Sequence, residues 1–102
     1  MDRVVDLEAI LRHEVSEYVW DEADSKAYFM QDAAHRVYSV LLVPHENTQD
    51  SVTIIVARLT NDDRIVIDTD LTDKPLYDAL IQAGVPRERI VRAYAGERVA
   101  LP

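Results

Sequence analysis

The chain has no cysteine, only two glycines, and no apolar run approaching the length of a membrane span. Without thiols there are no disulfide staples, no thiolate metal sites and no cysteine nucleophile. Two glycines leave nothing from which to build a phosphate-cradling loop. Apolar residues make up 48% of the 102 positions, which argues against long disordered or low-complexity tracts. Positive charge is also scarce: 11 basic residues against 19 acidic ones give a net charge of −8. That average field repels a phosphate backbone, so direct nucleic-acid binding is disfavoured and a protein partner is expected. No secretory h-region opens the sequence, so the expected location is the cytoplasm, away from membranes. The length suits one domain over residues 1–102 around a single core.

What is present has clear periodicity. In RVVDLEAILRHEVSEYV, residues 3–19, Val4, Leu7, Leu11, Val15 and Tyr18 recur at three- and four-residue steps, predicting an amphipathic helix. Asp2 is placed to cap it, and Asp6 and Glu8 favour the positive end of its dipole. Arg12, Glu14 and Glu17 fall on the wet side. After DEADS come four runs rich in Val, Ile, Tyr and Thr: KAYFMQD, RVYSVLLVPH, SVTIIVARLT and RIVIDTD. The connections DAAH, ENTQD and NDD are short enough for hairpins and too short for parallel crossovers. Pro44 closes the second strand or marks an edge. In DKPLYDALIQAG, Pro75 fits a first helical turn, Thr72 or Asp73 is placed to cap it, and Gly84 is placed to stop it. A helical turn at 86–89 then leads into a short strand or extended segment. The expected fold is α+β: an N-terminal amphipathic helix, a four-stranded antiparallel meander, and a short C-terminal helix packed on the sheet.

Val40–Val43 and Ile54–Ala57 are apolar without alternation, as in strands covered on both faces. Two helices can cover only one face of such a sheet. The other needs a second copy, a partner or the tail, so an obligate assembly is expected, with a homo-oligomer (a homodimer) the first reading.

Reactive groups were weighed one by one. Asp68, Asp70 and Asp73 have a spacing that could offer oxygen ligands to magnesium or calcium, with Asp68 and Asp70 expected on one strand face. The competing reading is a solvated strand end followed by a cap, with Asp62 and Asp63 serving a turn. His13 opens HEVSE, which lacks the second histidine of a zinc-protease motif, and His35 and His45 lie at a turn and a strand end. No serine sits in a nucleophile elbow. The expectation is therefore no catalytic residues, no resident metal and no cofactor. Arg87, Arg89, Arg92 and Arg98 cluster around Tyr94, interrupted by Glu88 and Glu97. They read as a solvated helical turn or as a contact for an acidic partner or nucleic acid. Trp20, beside Tyr18, reads as a core anchor or an interface residue. The candidate partner-interface set is Arg87, Arg89, Arg92, Tyr94 and Trp20.

The order of elements, with NDDRIVIDTD followed by KPLYDALIQAGVPRERIV, resembles the XisI family, the fdxN element excision controlling factors found chiefly in cyanobacteria. In that family a strand leads through a Thr-containing turn into a helix ending Leu-x-x-x-Gly-Val-Pro-x-x-x-Ile-Val. Leu80, Gly84, Val85, Pro86, Ile90 and Val91 match that ending. The resemblance departs at Arg92-Ala93-Tyr94-Ala95, where relatives carry a Gly-Phe-His-like stretch, and at Val43-Pro44, where a Gly-Trp pair is common. Much of the family's usual C-terminal extension is also missing, as in a short, divergent member. The resemblance implies a small α+β domain that regulates rather than catalyses. It implies a nuclease-like XisH-like partner and control of the excision of a DNA element by a separate recombinase. Two further readings stay open: a direct DNA-binding recombination accessory protein, and an antitoxin-like inhibitor of a nuclease.

Overall fold

The computed structural model describes residues 6–46 and 50–98. Helix α1 runs Leu7–Ser16, and Asp6 caps it by accepting from the Ala9 N–H at 3.0 Å. The expected start, with Asp2 as cap and Val4 on the stripe, lies outside the described residues. The helix ends earlier than the apolar stripe implies. Ser16 Oγ donates to the His13 carbonyl at 2.7 Å, the last turn tightens, and β-preferring Tyr18, Val19 and Trp20 follow.

Six strands follow: β1 Trp20–Asp21, β2 Ser25–Asp32, β3 Val37–Pro44, β4 Val52–Leu59, β5 Ile65–Asp70 and β6 Ile90–Arg92. They form one sheet in sequence order, antiparallel from β1 to β5, with β6 parallel to β5. The four-stranded antiparallel meander is thus the centre of a six-stranded mixed sheet. Of its two added strands, β6 is the short strand or extended segment expected after the 86–89 turn, and β1, with two residues, is too short for propensity or alternation to signal. The parallel step is made by helix α2, Leu76–Gln82, which carries the chain back along the sheet. Two turns hold a left-handed residue: Asp63, in the expected Asn-Asp-Asp turn, has φ 60°, and Arg36, read from sequence as the start of a strand, closes the turn before β3 with φ 56°.

Residues paired across an antiparallel ladder share a face. Tyr38/Ala57, Val40/Ile55 and Ala57/Ile67 therefore point to the same side. There they meet Leu11 and Val15 of α1 and Leu76 and Leu80 of α2 in the apolar core. The Tyr38 ring is fully buried, and its hydroxyl donates to Glu8 Oε2 at 2.9 Å. Helix α2 ends in a Schellman motif: Val85 N–H donates to the Leu80 carbonyl and Gly84 N–H to the Ile81 carbonyl. Leu80 and Val85 are both buried, supplying the apolar contact that accompanies this motif.

Among the described residues no helix packs on the opposite face. Tyr28 and Met30 on β2 are each 44% exposed there, with Leu41, Val43 and Val56 half-buried beside them. The non-alternating runs have the two-faced placement expected of them: Val40 and Ile55 sit under the helices, Leu41 and Val56 on the bare side.

Candidate functional site

The aspartates of 61–73 do not converge. A register shift falls between Val56 and Ala57, with Asp68 the extra residue of β5. Beyond it Asp70 pairs with Ile55 and lies on the helix face, whereas Asp68 reaches Arg58 on the bare face. The expectation that Asp68 and Asp70 share a face is therefore corrected: the bulge breaks the two-residue period. Asp68 accepts from Arg58 Nε and Nη2 at 2.9 and 3.4 Å. Asp70 accepts from Thr72 N at 3.0 Å, from the Thr72 hydroxyl at 2.6 Å, and from Leu76 N at 2.7 Å.

The α2 cap is corrected in the same way. Neither Thr72 nor Asp73 caps the helix directly; Asp70, six residues ahead of Leu76, satisfies its first N–H across the turn. Asp62 accepts from the Thr60 hydroxyl, a bond that holds its carboxyl below the usual range, and from Arg64 Nε at 3.2 Å. His13, His35 and His45 lie apart and pair with carboxylates or carbonyls: His13 with Glu17, His35 with Asp32 and His45 with the Glu22 carbonyl. Among the described residues no three His, Asp or Glu side chains group closely enough to hold a metal ion.

The expected interface set is divided between two ends of the sheet. Arg92 lies 4.3 Å over the Tyr77 ring, and its Nε and Nη2 donate to Glu97 Oε2 at 3.3 and 2.9 Å. Those bonds push the Arg92 guanidinium up and hold Glu97 below the usual carboxylate range. Arg89 donates to the Asp62 carbonyl at 3.3 Å, Arg87 and Arg98 are exposed, and Tyr94 is 41% exposed. Trp20 is on β1, at the other edge, roughly 24 Å away at about 4.8 Å per strand spacing.

A cleft unforeseen from sequence opens between the C-terminal end of α1 and the N-terminal end of α2. It measures about 530 Å³ and is lined by Glu14, Glu17, Tyr18, Asp73, Lys74 and Asp78, among others. A second hollow of about 340 Å³ shares Glu17, Tyr18, Asp73 and Lys74 and continues over Trp20, Leu42, Ile54 and Leu71. Tyr18 ties the cleft's two sides together by donating its hydroxyl to the Lys74 carbonyl. Burial first, then the nearby Asp70 carboxylate, pushes that phenol up to about 12. Trp20 Nε1 donates to Ser25 Oγ at 3.3 Å, leaving the indole's apolar body to the hollow. The three- and five-residue spacings of Glu14/Glu17 and Asp73/Asp78 were visible in the sequence. Their meeting across two helices was not.

These features define a small α+β protein with one helix-covered sheet face, one bare face and an acidic cleft at a strand end. A family model described as XisI protein matches residues 1–100, and the chain belongs to that family. Similar solved structures include an XisI-like protein from Anabaena variabilis ATCC 29413, at 24% identity and a TM-score of 0.65, covering 92% of this chain and 93% of that one. Another, the fdxN element excision controlling factor XisI from the same organism, is 19% identical with a TM-score of 0.63, covering 87% of each chain. No curated protein sequence matches the chain significantly. At these identities the structural likeness speaks for the fold.

Proposed function

We propose that this XisI-family chain is a non-catalytic accessory factor in the control of DNA-element excision, acting through protein–protein binding to an XisH-like, nuclease-like partner. It acts as a single domain in the cytoplasm and self-associates through its bare sheet face. The observation that carries the reading is that face, where Tyr28 and Met30 stay 44% exposed beside half-buried Leu41, Val43 and Val56. Apolar side chains exposed together on an uncovered sheet face, here set among Lys26, Ser39 and the Arg58–Asp68 pair, favour an interaction site. The net charge of −8 also favours protein over DNA as the contact. Among the described residues no helix is long and apolar enough to cross a membrane.

Co-expression with the product of a neighbouring XisH-like reading frame tests the partner. A stoichiometric complex at micromolar concentration is expected, and two separate species would refute it. The DNA-binding reading makes a different demand: a gel shift at physiological salt that is lost in Arg87→Ala/Arg89→Ala. Arg92 offers it little, since Glu97 and Tyr77 already engage that side chain.

A further inference from the structure

We propose that the cleft between α1 and α2, together with the hollow adjoining it, docks a basic, apolar-bearing segment of a partner protein: cations along the cleft's acidic wall, a large side chain on the hollow's Trp20/Leu71 floor. The wall comes from two helices. Glu14 stands in the last turn of α1 and Glu17 just after it, Asp73 precedes α2 and Asp78 lies in its first turn, with Lys74 the one cation among the described residues lining the same space. Among the described residues Asp73 and Asp78 have no ion-pair partner, and Glu14 and Glu17 have only the His13 imidazole, at 3.9 and 3.3 Å. Four carboxylates lining one space, with His13 the only ion-pair partner among the described residues, favour a cation there.

The carboxylates do not make the argument alone. The hollow that adjoins the cleft at Glu17, Tyr18, Asp73 and Lys74 has an apolar floor that the described residues leave open. Leu71, at its rim, is 65% exposed, more than any other large apolar side chain among the described residues. Trp20, Leu42 and Ile54 line the hollow below it. An apolar pocket flanked by charge of one sign fits a segment in which arginine or lysine alternates with a large apolar residue. An acidic or uncharged segment gains nothing from the wall. A second copy of this chain, itself at −8, is the poorer match. The site deepens the partner-binding reading by naming where and by what chemistry the partner is held.

The test uses the full chain and a fluorescein-labelled peptide alternating arginine and leucine, read by anisotropy at physiological salt. Glu14→Gln/Asp78→Asn and, separately, Leu71→Ser are each expected to weaken binding at least tenfold. Asp32→Asn/Asp63→Asn removes the same charge at the far end of the strands, and a change under twofold is expected. Circular dichroism checks that each variant is folded. Equal losses at both ends would reduce the effect to net charge and overturn the proposal, as would an unaffected Leu71→Ser or no measurable binding to the wild-type chain.

A second arm repeats these variants in the co-expressed XisH-like complex. A complex that survives all cleft variants overturns the docking site and leaves the partner reading standing. Peptide binding that follows the cleft variants, without any XisH-like complex, does the reverse. A fall in the chain's own oligomeric mass in the cleft variants would assign the cleft to a second copy and overturn the proposal.

Discussion

Asp70 gathers three hydrogen bonds onto one carboxylate and joins the end of β5 to the first turn of α2. Replacing it with alanine strands the Leu76 and Thr72 N–H groups in a half-buried turn. The expected loss is about 1–3 kcal/mol in urea unfolding, the range for a lost cap or an unsatisfied donor. Asp73→Ala, at one of the two positions the sequence offers for the cap, is expected to stay within about 0.5 kcal/mol, as surface changes do. The Arg92–Glu97 pair makes a pH prediction. Its hydrogen bonds hold Glu97 below its ordinary value in the folded chain. Its stabilisation is therefore present above the unfolded carboxylate range and is lost as pH falls through the folded value. Glu97→Gln is expected to flatten the acid limb of a plot of urea midpoint against pH, between neutrality and about pH 3. The raised Tyr18 phenol acts at the other extreme: its contribution falls as pH rises from 10.0 towards about 12.

Elements succeed or fail on a few backbone positions. Gly84 has φ +102°, and a Cβ there meets nothing within 4 Å, so the cost of a side chain comes from the backbone alone. Gly84→Ala is expected to lower stability by about 1–2 kcal/mol in thermal or urea unfolding, with the fold kept. Two register shifts, at Val40/Leu41 and Val56/Ala57, bend the sheet and decide which residues lie under the helices. The outermost strands, β1 and β6, have only two and three residues, and β1 pairs with β2 only at Lys26 and Ala27, which leaves Tyr28–Asp32 as open edge.

For the whole molecule, the described helices lie on one side of the sheet, and the proposal is that a second copy covers the other. Light scattering at micromolar concentration is expected to give a dimer mass for the wild-type chain. Tyr28→Glu/Met30→Glu is expected to give a monomer with unchanged helical content, since both side chains already face solvent in the single chain. A wild-type monomer at that concentration would refute self-association. The amino-acid sequence by itself determined what depends on neighbours within a turn or a strand. This covers the α1 stripe of Leu7, Leu11 and Val15, the Asn61–Asp63 turn, the two-faced runs of β3 and β4, the Gly84 stop and the family. Only the tertiary structure decided that Asp68 and Asp70 part to opposite faces, that Asp70 caps a helix six residues away, and that Glu14, Glu17, Asp73 and Asp78 share one cleft. Side-chain periodicity and turn chemistry are local and can be read along the chain. A one-residue register shift and the packing of α1 against α2 are settled by contacts between distant segments, whose effect on side-chain direction no local pattern records.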